Sequence, residues 1–348
     1  MLLETLIRSM PKVELHVHLE GSIRPATLLE LANRNNVALP ARTLDELRAF
    51  YRFTDFSHFI QVYSVIIQCL RTPDDFALIA EEFGATMAEH NIRYAEVTWS
   101  PVTHVDRTGV PFMELLAGVN RGRAAAQAKY GVDMRWIIDI VRNLHAKGID
   151  GMETAAMAVA GREHGVVALG LGGMETGFPP ELFTAAFDYA RAHGVHSIPH
   201  AGESSDAASV WGALRSLGAE RIGHGIRSIT DPHLVAYLRD HQIPLEVCPT
   251  SNVCTGVVSS LAAHPIRALY DAGVYITINS DDPPMFNTTL TDEYLLLARE
   301  FGFDADAIMQ VALNGVRATL LDADAKQRLE QQFLADFARL RAALPEPE

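Results

Sequence analysis

Eight apolar, strand-like segments alternate with helical segments along most of the chain, and this alternation limits the possible folds more than any other feature. The strands are predicted at residues 12–19, 92–97, 134–141, 166–171, 195–199, 221–223, 244–247 and 274–278. Helices between them are predicted at residues 113–129, 151–163, 180–193, 207–217, 232–240 and 265–272. Strands that alternate with helices of roughly 10–15 residues indicate parallel βαβ units. Eight such units close most simply into a (β/α)8 TIM barrel, which is an α/β fold.

The segments outside this alternation are predicted to be helical additions to the barrel. A helix is predicted to begin at Pro25, and residues 44–89 show helical periodicity almost throughout, as an insertion that could cover one end of the barrel. Residues 304–340 are predicted to form two outer helices. The alternative fold is a doubly wound open sheet, but no G-x-G-x-x-G follows the first strand. Because no linker divides the chain, residues 1–348 are predicted to form one domain.

Composition and charge argue against several classes of protein. Hydrophobic residues make up 48% of the 348 residues, which is enough for a large core. The formal charge of −14 argues against nucleic-acid binding, which needs a basic face. The chain has no signal-peptide segment, no run near the ~20 apolar residues of a membrane span, and too few cysteines for a disulfide framework. We therefore expect a cytoplasmic protein that binds neither membranes nor nucleic acids. Its oligomeric state is not indicated.

Two histidines, His16 and His18, lie two positions apart near the end of the first predicted strand. Residues i and i+2 of a strand point to the same face, so the two imidazoles project together. Such a pair is half of a site for a first-row metal ion, and the remaining ligands must come from elsewhere in the fold. The alternative interpretation is a pair of polar residues on a solvated strand.

Other strand ends carry further polar residues of the required types: His200, Glu203, His224, Asp281 and Asp282. Each has an ordinary explanation, such as a core histidine, a helix cap or a turn before a proline. In a barrel, however, all the carboxyl ends of the strands meet at one rim, where the active sites of these folds lie. The joint occurrence of seven such residues at that rim therefore predicts a functional site.

Three histidines and one aspartate (His16, His18, His200 and Asp281) suit Zn²⁺ with an open position for water. Zn²⁺ lowers the pKa of bound water to about 7, and Glu203, His224 and Asp282 remain for proton transfer. One metal ion is favoured over two, because the fourth strand has no lysine or carboxylate that could bridge two ions. The H-x-E and P-C-x-x-C signature of the cytidine-type deaminases is absent.

Other polar residues of the chain are not expected to belong to this set. The stretch 248–252 follows the seventh strand, so its polar atoms are expected to line the pocket, with Cys248 in a packing role. The remaining histidines of the predicted helices and loops are expected to be solvated: His145, His164, His193, His233, His241 and His264.

Four motifs together resemble the adenosine deaminase family across almost the full chain. They are K-V-E-L-H-V-H-L-E-G at 12–21, H-A-G-E at 200–203, R-I-G-H-G at 221–225 and S-D-D-P at 280–283. The resemblance implies a (β/α)8 barrel with one zinc ion per subunit. It also implies hydrolytic removal of the 6-amino group of a purine nucleoside by attack of water at C6.

The resemblance also implies catalytic roles. His16, His18, His200 and Asp281 would hold the zinc. His224 would orient the attacking oxygen and stabilise its charge, Asp281 would accept its proton, and Glu203 would donate a proton to N1 of the purine. To act as an acid Glu203 must be protonated, so we expect burial to raise its pKa.

The substrate contacts implied by the resemblance are His18, Glu20, Gly173 and Asp282. Asp282 would bond N7, and the backbone N–H of Gly173 would meet N3. Adenosine-specific members carry aspartate at the position of Glu20, where the 5′-hydroxyl of the ribose is bound. Glu20 is expected to lie on the same face of the first strand as His16 and His18. The fourth strand of those members reads D-L-A-G-D-E, where this chain has G-L-G-G-M-E at 170–175. This chain therefore lacks two acidic residues of the adenosine-specific pattern.

These departures, with N-S-D-D-P-P-M-F at 279–286, resemble bacterial members that act on 5′-modified adenosines, including 6-amino-6-deoxyfutalosine of menaquinone synthesis. A third branch of the family takes free adenine. The helical insertion is expected to cover the ribose side, where Arg24, Arg52 or Arg71 could meet a carboxylate. A mononuclear zinc hydrolase of amides or phosphoesters and a non-catalytic metal-binding protein are the alternatives from other classes.

Overall fold

Eight parallel strands form one sheet that closes on itself in the computed structural model, which describes residues 2–343. The strands are β1 Lys12–His18, β2 Ile92–Trp99, β3 Asp133–Val141, β4 Val166–Gly172, β5 His196–Ala201, β6 Ile222–His224, β7 Leu245–Val247 and β8 Ile276–Ile278. Each strand pairs with the next in chain order, and the last returns to the first through a bridge between Val17 and Asp281. The predicted (β/α)8 barrel is confirmed.

Helices surround the barrel and connect its strands. They are α1 Leu2–Ser9, α2 Pro25–Arg34, α3 Leu44–Phe50, α4 Phe56–Ile66, α5 Pro73–Glu89, α6 Pro101–Thr108, α7 Phe112–Tyr130, α8 Met152–Gly161, α9 Thr184–Ala192, α10 Ala207–Ser216, α11 Pro232–His241, α12 Pro249–Cys254, α13 Ile266–Asp271, α14 Pro283–Phe286, α15 Leu290–Arg299, α16 Ala305–Ala318 and α17 Ala323–Ala343. The predicted helices are present, and α1, α6, α12, α14 and α15 were not predicted. Residues 1 and 344–348 of the predicted single domain lie outside the described part, and the single domain stays a prediction.

The predicted insertion at residues 44–89 consists of α3 to α5. Helix α5 begins with a reciprocal cap, in which the Thr72 hydroxyl accepts from the N–H of Asp75 and the Asp75 carboxylate accepts from the N–H of Thr72. Helix α7 packs closely on α5 because Gly118 and Gly122 face it, and a Cβ atom at either glycine would overlap backbone oxygens of α5. These contacts fix the insertion to the barrel wall.

Helix α4 of this insertion lies across the carboxyl ends of the strands. Its inner face buries Phe59, Val62 and Ile66, because its apolar residues repeat at intervals of three and four. The predicted cover over one end of the barrel is therefore present. Among residues 2–343, no helix is both long enough and apolar enough to span a membrane.

Candidate active site

The structure brings together the four residues predicted to bind a metal ion. His18 Nε2 lies 3.3 Å from His200 Nε2 and 3.3 Å from Asp281 Oδ1. His16 Nε2 lies 3.6 Å from the same oxygen of Asp281. β1 supplies the first two ligands, β5 supplies His200, and the first residues after β8 supply Asp281. Three imidazole nitrogens and a carboxylate oxygen thus converge from three strands of the barrel.

The chemistry of this donor set fits a cation. Burial lowers the pKa of His18 and, helped by the neighbouring histidines, holds the pKa of His200 well below its usual range, so both imidazoles are neutral. Burial opposes ionisation of Asp281, but the close approach of His16 and the charges of the surrounding histidines outweigh it and keep the pKa well below normal. His16 Nε2 is buried without a hydrogen-bond partner. Neutral imidazoles with a carboxylate and a free nitrogen are what a Zn²⁺ site requires.

His16 is oriented by a buried carboxylate that sequence reasoning missed. Its Nδ1–H donates to Glu246 Oε2 on β7 (2.8 Å), which turns Nε2 towards the cluster. Burial lowers the pKa of His16, but Asp281 and Glu246 outweigh it and raise the pKa to about 10. Glu246 is held in turn by Arg221 (Nε to Oε1, 2.6 Å), which also pairs with Glu96 (2.6 Å). This part of the site therefore favours positive charge at the position that a metal ion would take.

Glu203 lies just after β5 and is 5% exposed. Burial raises its pKa well above the usual value, with further contributions from the charges of Asp281 and Glu175. The predicted direction of the pKa shift is therefore confirmed. Glu175 also fixes the loop that carries this residue, since its carboxylate accepts hydrogen bonds from the backbone N–H groups of Gly202, Glu203, Ser204 and Ser205. A protonated carboxyl group is thus held rigidly at the rim of the site.

His224 is the last residue of β6, and a chain of hydrogen bonds fixes which of its nitrogens carries the proton. The N–H of Ile266 donates to His264 Nδ1 (3.2 Å), so Nε2–H of His264 donates to Asn252 Oδ1 (3.1 Å). The Asn252 amide then donates to His224 Nδ1 (3.1 Å), and the proton of the neutral imidazole must lie on Nε2. Burial and the nearby His16 lower the pKa of His224 to about 3.

The Nε2 atom of His224, which carries the proton, lies 3.8 Å from both Glu203 Oε1 and Asp281 Oδ2. It is therefore a hydrogen-bond donor aimed at the space between the two carboxyl groups. The backbones of His224 and Asp281 both adopt positive φ angles, 57° and 64°. This conformation costs energy in a residue other than glycine, and such strain clusters at functional sites.

Two expectations about this region are wrong. His264 was expected to be solvated, but it is 5% exposed because it lies beneath Asn252, and burial lowers its pKa to about 4. Residues 248–252 were expected to line the pocket. Instead α12 folds behind the site, where the Ser251 hydroxyl donates to Asp281 Oδ2 (2.6 Å). These residues support the site from behind.

Asp282 and Gly173 both line the cavity beside the cluster. Burial and the charge of Asp281 raise the pKa of Asp282 well above its usual value, so its carboxyl group is protonated and can donate a hydrogen bond. The close approach of Asp282 to the first strand requires Gly21, because a Cβ atom there would overlap its carboxyl oxygen. Gly173 has φ of +81°, which a residue with a side chain rarely adopts.

Glu20 was expected to lie on the face of the first strand, but it does not. The strand ends at His18, and Glu20 is a buried turn residue that is not among those lining the cavity. Its Oε1 accepts from His104 Nε2 (3.0 Å) and from the N–H of Ser100 (3.1 Å). Tyr63, which does line the cavity, donates to Oε2 (3.4 Å). A direct substrate contact of Glu20 stays a prediction.

The cavity above the cluster has a volume of about 290 Å³. One wall is apolar and comes from the insertion, with Phe56, Phe59, Ile60, Tyr63 and Ile67. The opposite wall is polar and comes from the strand ends. None of Arg24, Arg52 and Arg71, the expected partners of a substrate carboxylate, lines this cavity; Arg24, for example, is bound to Glu89 (2.9 Å).

Comparison with known proteins gives a consistent result. The family model described as Adenosine deaminase matches residues 11–335. An aminodeoxyfutalosine deaminase from Streptomyces coelicolor is 43% identical over 333 residues, covering 95% of this chain and 85% of the relative. An adenine deaminase from Bordetella avium is 35% identical over 314 residues, covering 90% of this chain and 98% of the relative.

Solved structures agree with this assignment. The crystal structure of an adenine deaminase from Arthrobacter aurescens superposes with a TM-score of 0.89 at 31% identity, covering 96% of this chain and all (100%) of the other. The crystal structure of an amidohydrolase from Burkholderia ambifaria with bound zinc superposes with a TM-score of 0.87 at 29% identity. The match covers 98% of this chain and 94% of the other. The chain therefore belongs to the adenosine deaminase family and is a hydrolase that acts on carbon–nitrogen bonds in amidines.

Proposed function

We propose that this protein hydrolyses the 6-amino group of a purine nucleoside, releasing ammonia and the 6-oxo product, with one zinc ion per subunit. The observation that carries the proposal is a single site in which two protonated carboxyl groups, Glu203 and Asp282, and the donor His224 surround an ionised Asp281 and the three imidazoles of His16, His18 and His200. Deamination of an aminopurine needs this combination of proton donors, a proton acceptor and a metal site.

The zinc would be held by the four residues of the cluster, His16, His18, His200 and Asp281. When bound there, Zn²⁺ would lower the pKa of a water molecule to about 7. Asp281, which is ionised, accepts the proton of the attacking water and returns it to the departing amino group, so that ammonia leaves. The Nε2–H of His224 stabilises the negative charge that develops on the attacking oxygen.

The remaining groups bind and polarise the purine. Glu203 donates its proton to N1, which makes C6 more electrophilic, and regains a proton from the attacking oxygen as the 6-oxo group forms. Asp282, being protonated, donates a hydrogen bond to N7, and the backbone N–H of Gly173 donates to N3. Hydrolysis of an amide or phosphoester would use the same metal but has no need for Asp282 beside the ligand Asp281. The geometry therefore favours a purine over these substrates.

The substrate we favour is a 5′-modified adenosine such as 6-amino-6-deoxyfutalosine, an intermediate of menaquinone synthesis. Three aminodeoxyfutalosine deaminases share 38–43% identity with this chain, whereas five adenine deaminases share 35–36%. The apolar wall from α4 supplies a surface for a substituent beyond the base. Free adenine is the second candidate, supported by the adenine deaminase structure with a TM-score of 0.89. The cytoplasmic location stays a prediction from the sequence.

The test is a substrate panel of aminodeoxyfutalosine, methylthioadenosine, adenosine and adenine with zinc-loaded protein. Ammonia release and the ultraviolet change of the purine are measured together. We expect the highest kcat/KM for a 5′-modified nucleoside and the lowest for adenine. Absence of activity on every 6-aminopurine would overturn the proposed reaction, and a preference for adenine would move the protein to the second candidate. Glu203→Gln serves as the inactive control.

A further inference from the structure

One buried acidic residue of the cavity has no part in the proposed chemistry. Asp139 lies on β3, is 2% exposed, and lines the cavity together with Val141. Its Oδ1 atom is buried and has no hydrogen-bond partner among the described residues. Burial raises the pKa of this carboxyl group to about 8. A buried carboxyl group without a partner is costly and rare in folded proteins, so it calls for an explanation.

Two glycines of β4 make room for this carboxyl group. Asp139 is paired in register with Gly170, and a Cβ atom at Gly170 would lie 2.6 Å from its Oδ1. A Cβ atom at Gly172 would overlap its Oδ2. Neither glycine has the positive φ that would itself demand glycine, so the absence of a side chain is what matters here. At these two positions the adenosine-specific members carry aspartate and alanine, whereas this chain has glycine at both.

The position of Asp139 relates it to one edge of a bound purine. The residue after Gly172 is Gly173, whose N–H is proposed to meet N3. In a purine, N3 is bonded to C4, which is bonded in turn to N9, the ring atom that carries the sugar. A carboxyl group packed against Gly172 therefore faces the sugar rather than the reacting C6. On the opposite side the cluster of Glu203, His224 and Asp281 already accounts for the groups around C6.

We propose that Asp139 is a specificity-determining residue that forms a hydrogen bond with a hydroxyl group of the substrate's sugar. The proposal rests on the proposed function, since it requires a purine nucleoside in this cavity. A carboxyl group can accept from a hydroxyl and, when protonated, donate to it. Asp139 would then favour a nucleoside over free adenine, and its partner would be supplied by the substrate.

The test measures dissociation constants by calorimetry with zinc-loaded protein. The probes are purine riboside, its 2′-deoxy and 3′-deoxy analogues, and free purine, none of which requires turnover. The wild-type protein should bind the riboside roughly 3–10-fold more tightly than the analogue that lacks the contacted hydroxyl, as expected for a hydrogen bond between uncharged groups. Asp139→Ala should bring that ratio to within about twofold, with the affinity for the deoxy analogue almost unchanged.

Two further variants keep the test decisive. Asp139→Asn retains a donor and an acceptor and should keep part of the preference. Gly170→Ala should displace the carboxyl group and reduce the preference as Asp139→Ala does, and the two changes combined should not add.

Three outcomes would count against the proposal. It is overturned if the wild-type protein binds the riboside and both deoxy analogues with the same affinity. It is also overturned if Asp139→Ala lowers the affinity for every probe equally, as loss of a purely structural residue would. Failure of the wild type to bind any purine riboside would instead refute the proposed function, and this proposal with it.

Discussion

The most informative single change is Asn252→Asp, which alters the hydrogen-bond chain behind His224 while almost preserving shape. In the wild type the Asn252 amide donates to His224 Nδ1 at 3.1 Å and its oxygen accepts from His264 at 3.1 Å. A carboxylate still accepts from His264 but has no proton to offer His224. The imidazole must then carry its proton on Nδ1, and Nε2 no longer donates to the attacking oxygen.

The size of the effect follows from what is lost. Removing one donor from a developing oxyanion costs about 2.7–4 kcal/mol, or about 10²–10³ in kcat. We therefore expect Asn252→Asp to lower kcat by that factor. Asn252→Ala, the matched control, removes the Asn252 amide without forcing the wrong tautomer. Asn252→Ala should lower kcat only about fivefold, which corresponds to the net contribution of one hydrogen bond, about 1 kcal/mol.

The assay is ammonia release under saturating substrate, with zinc content measured on the same samples. Equal zinc in all three proteins shows that the metal site is intact, because Asn252 does not touch the four proposed ligands. The expected order of kcat is wild type, then Asn252→Ala, then Asn252→Asp. An Asn252→Asp protein that is as active as Asn252→Ala would refute the assignment of the Nε2–H tautomer.

Three further changes test other parts of the site. Glu203→Gln should lower kcat about 10²–10⁴-fold with zinc still bound, because the proton donor to N1 is lost; near-normal turnover would disprove that role. Glu246→Gln should weaken zinc binding about 10–100-fold in a competition with a chelator, since the partner of His16 Nδ1–H loses its charge; unchanged affinity would contradict the orienting role. Glu175→Gln should lower both the thermal midpoint and kcat, the latter about 10²-fold, because its amide cannot accept all the N–H groups of residues 202–205. An unchanged kcat would show that this loop does not position Glu203.

The barrel and its rim were predictable because their signals are local. Each strand is a short apolar run, and His16, His18, His200 and Asp281 each stand at the end of one. In a parallel barrel those ends must meet, so distant residues could be brought together without any knowledge of contacts. Glu20 was misplaced for the same reason: a continuing alternation suggested more strand, but the chain turns once β1 has paired with the residues after β8.

The supporting residues were not predictable in this way. Glu246 bonds a residue 230 positions away, and Asn252 bonds His224 across 28 positions, so no local pattern connects the partners. One signal was nevertheless present. Glu246 and Asp139 each stand between two apolar residues of a predicted strand, and a buried acid must find a partner or a function. Acidic residues in predicted buried strands therefore identify candidates for supporting and substrate-binding roles.

The central claim is that the four-residue cluster holds one zinc ion on which deamination of a 6-aminopurine depends. The most direct test is a titration of metal-free protein with Zn²⁺, in which bound metal and the rate of ammonia release from the best substrate of the panel are followed together. We expect activity to rise in proportion to bound zinc and to level off at one ion per chain. Full activity in the metal-free protein, or a rise that continues to two ions per chain, would contradict this account.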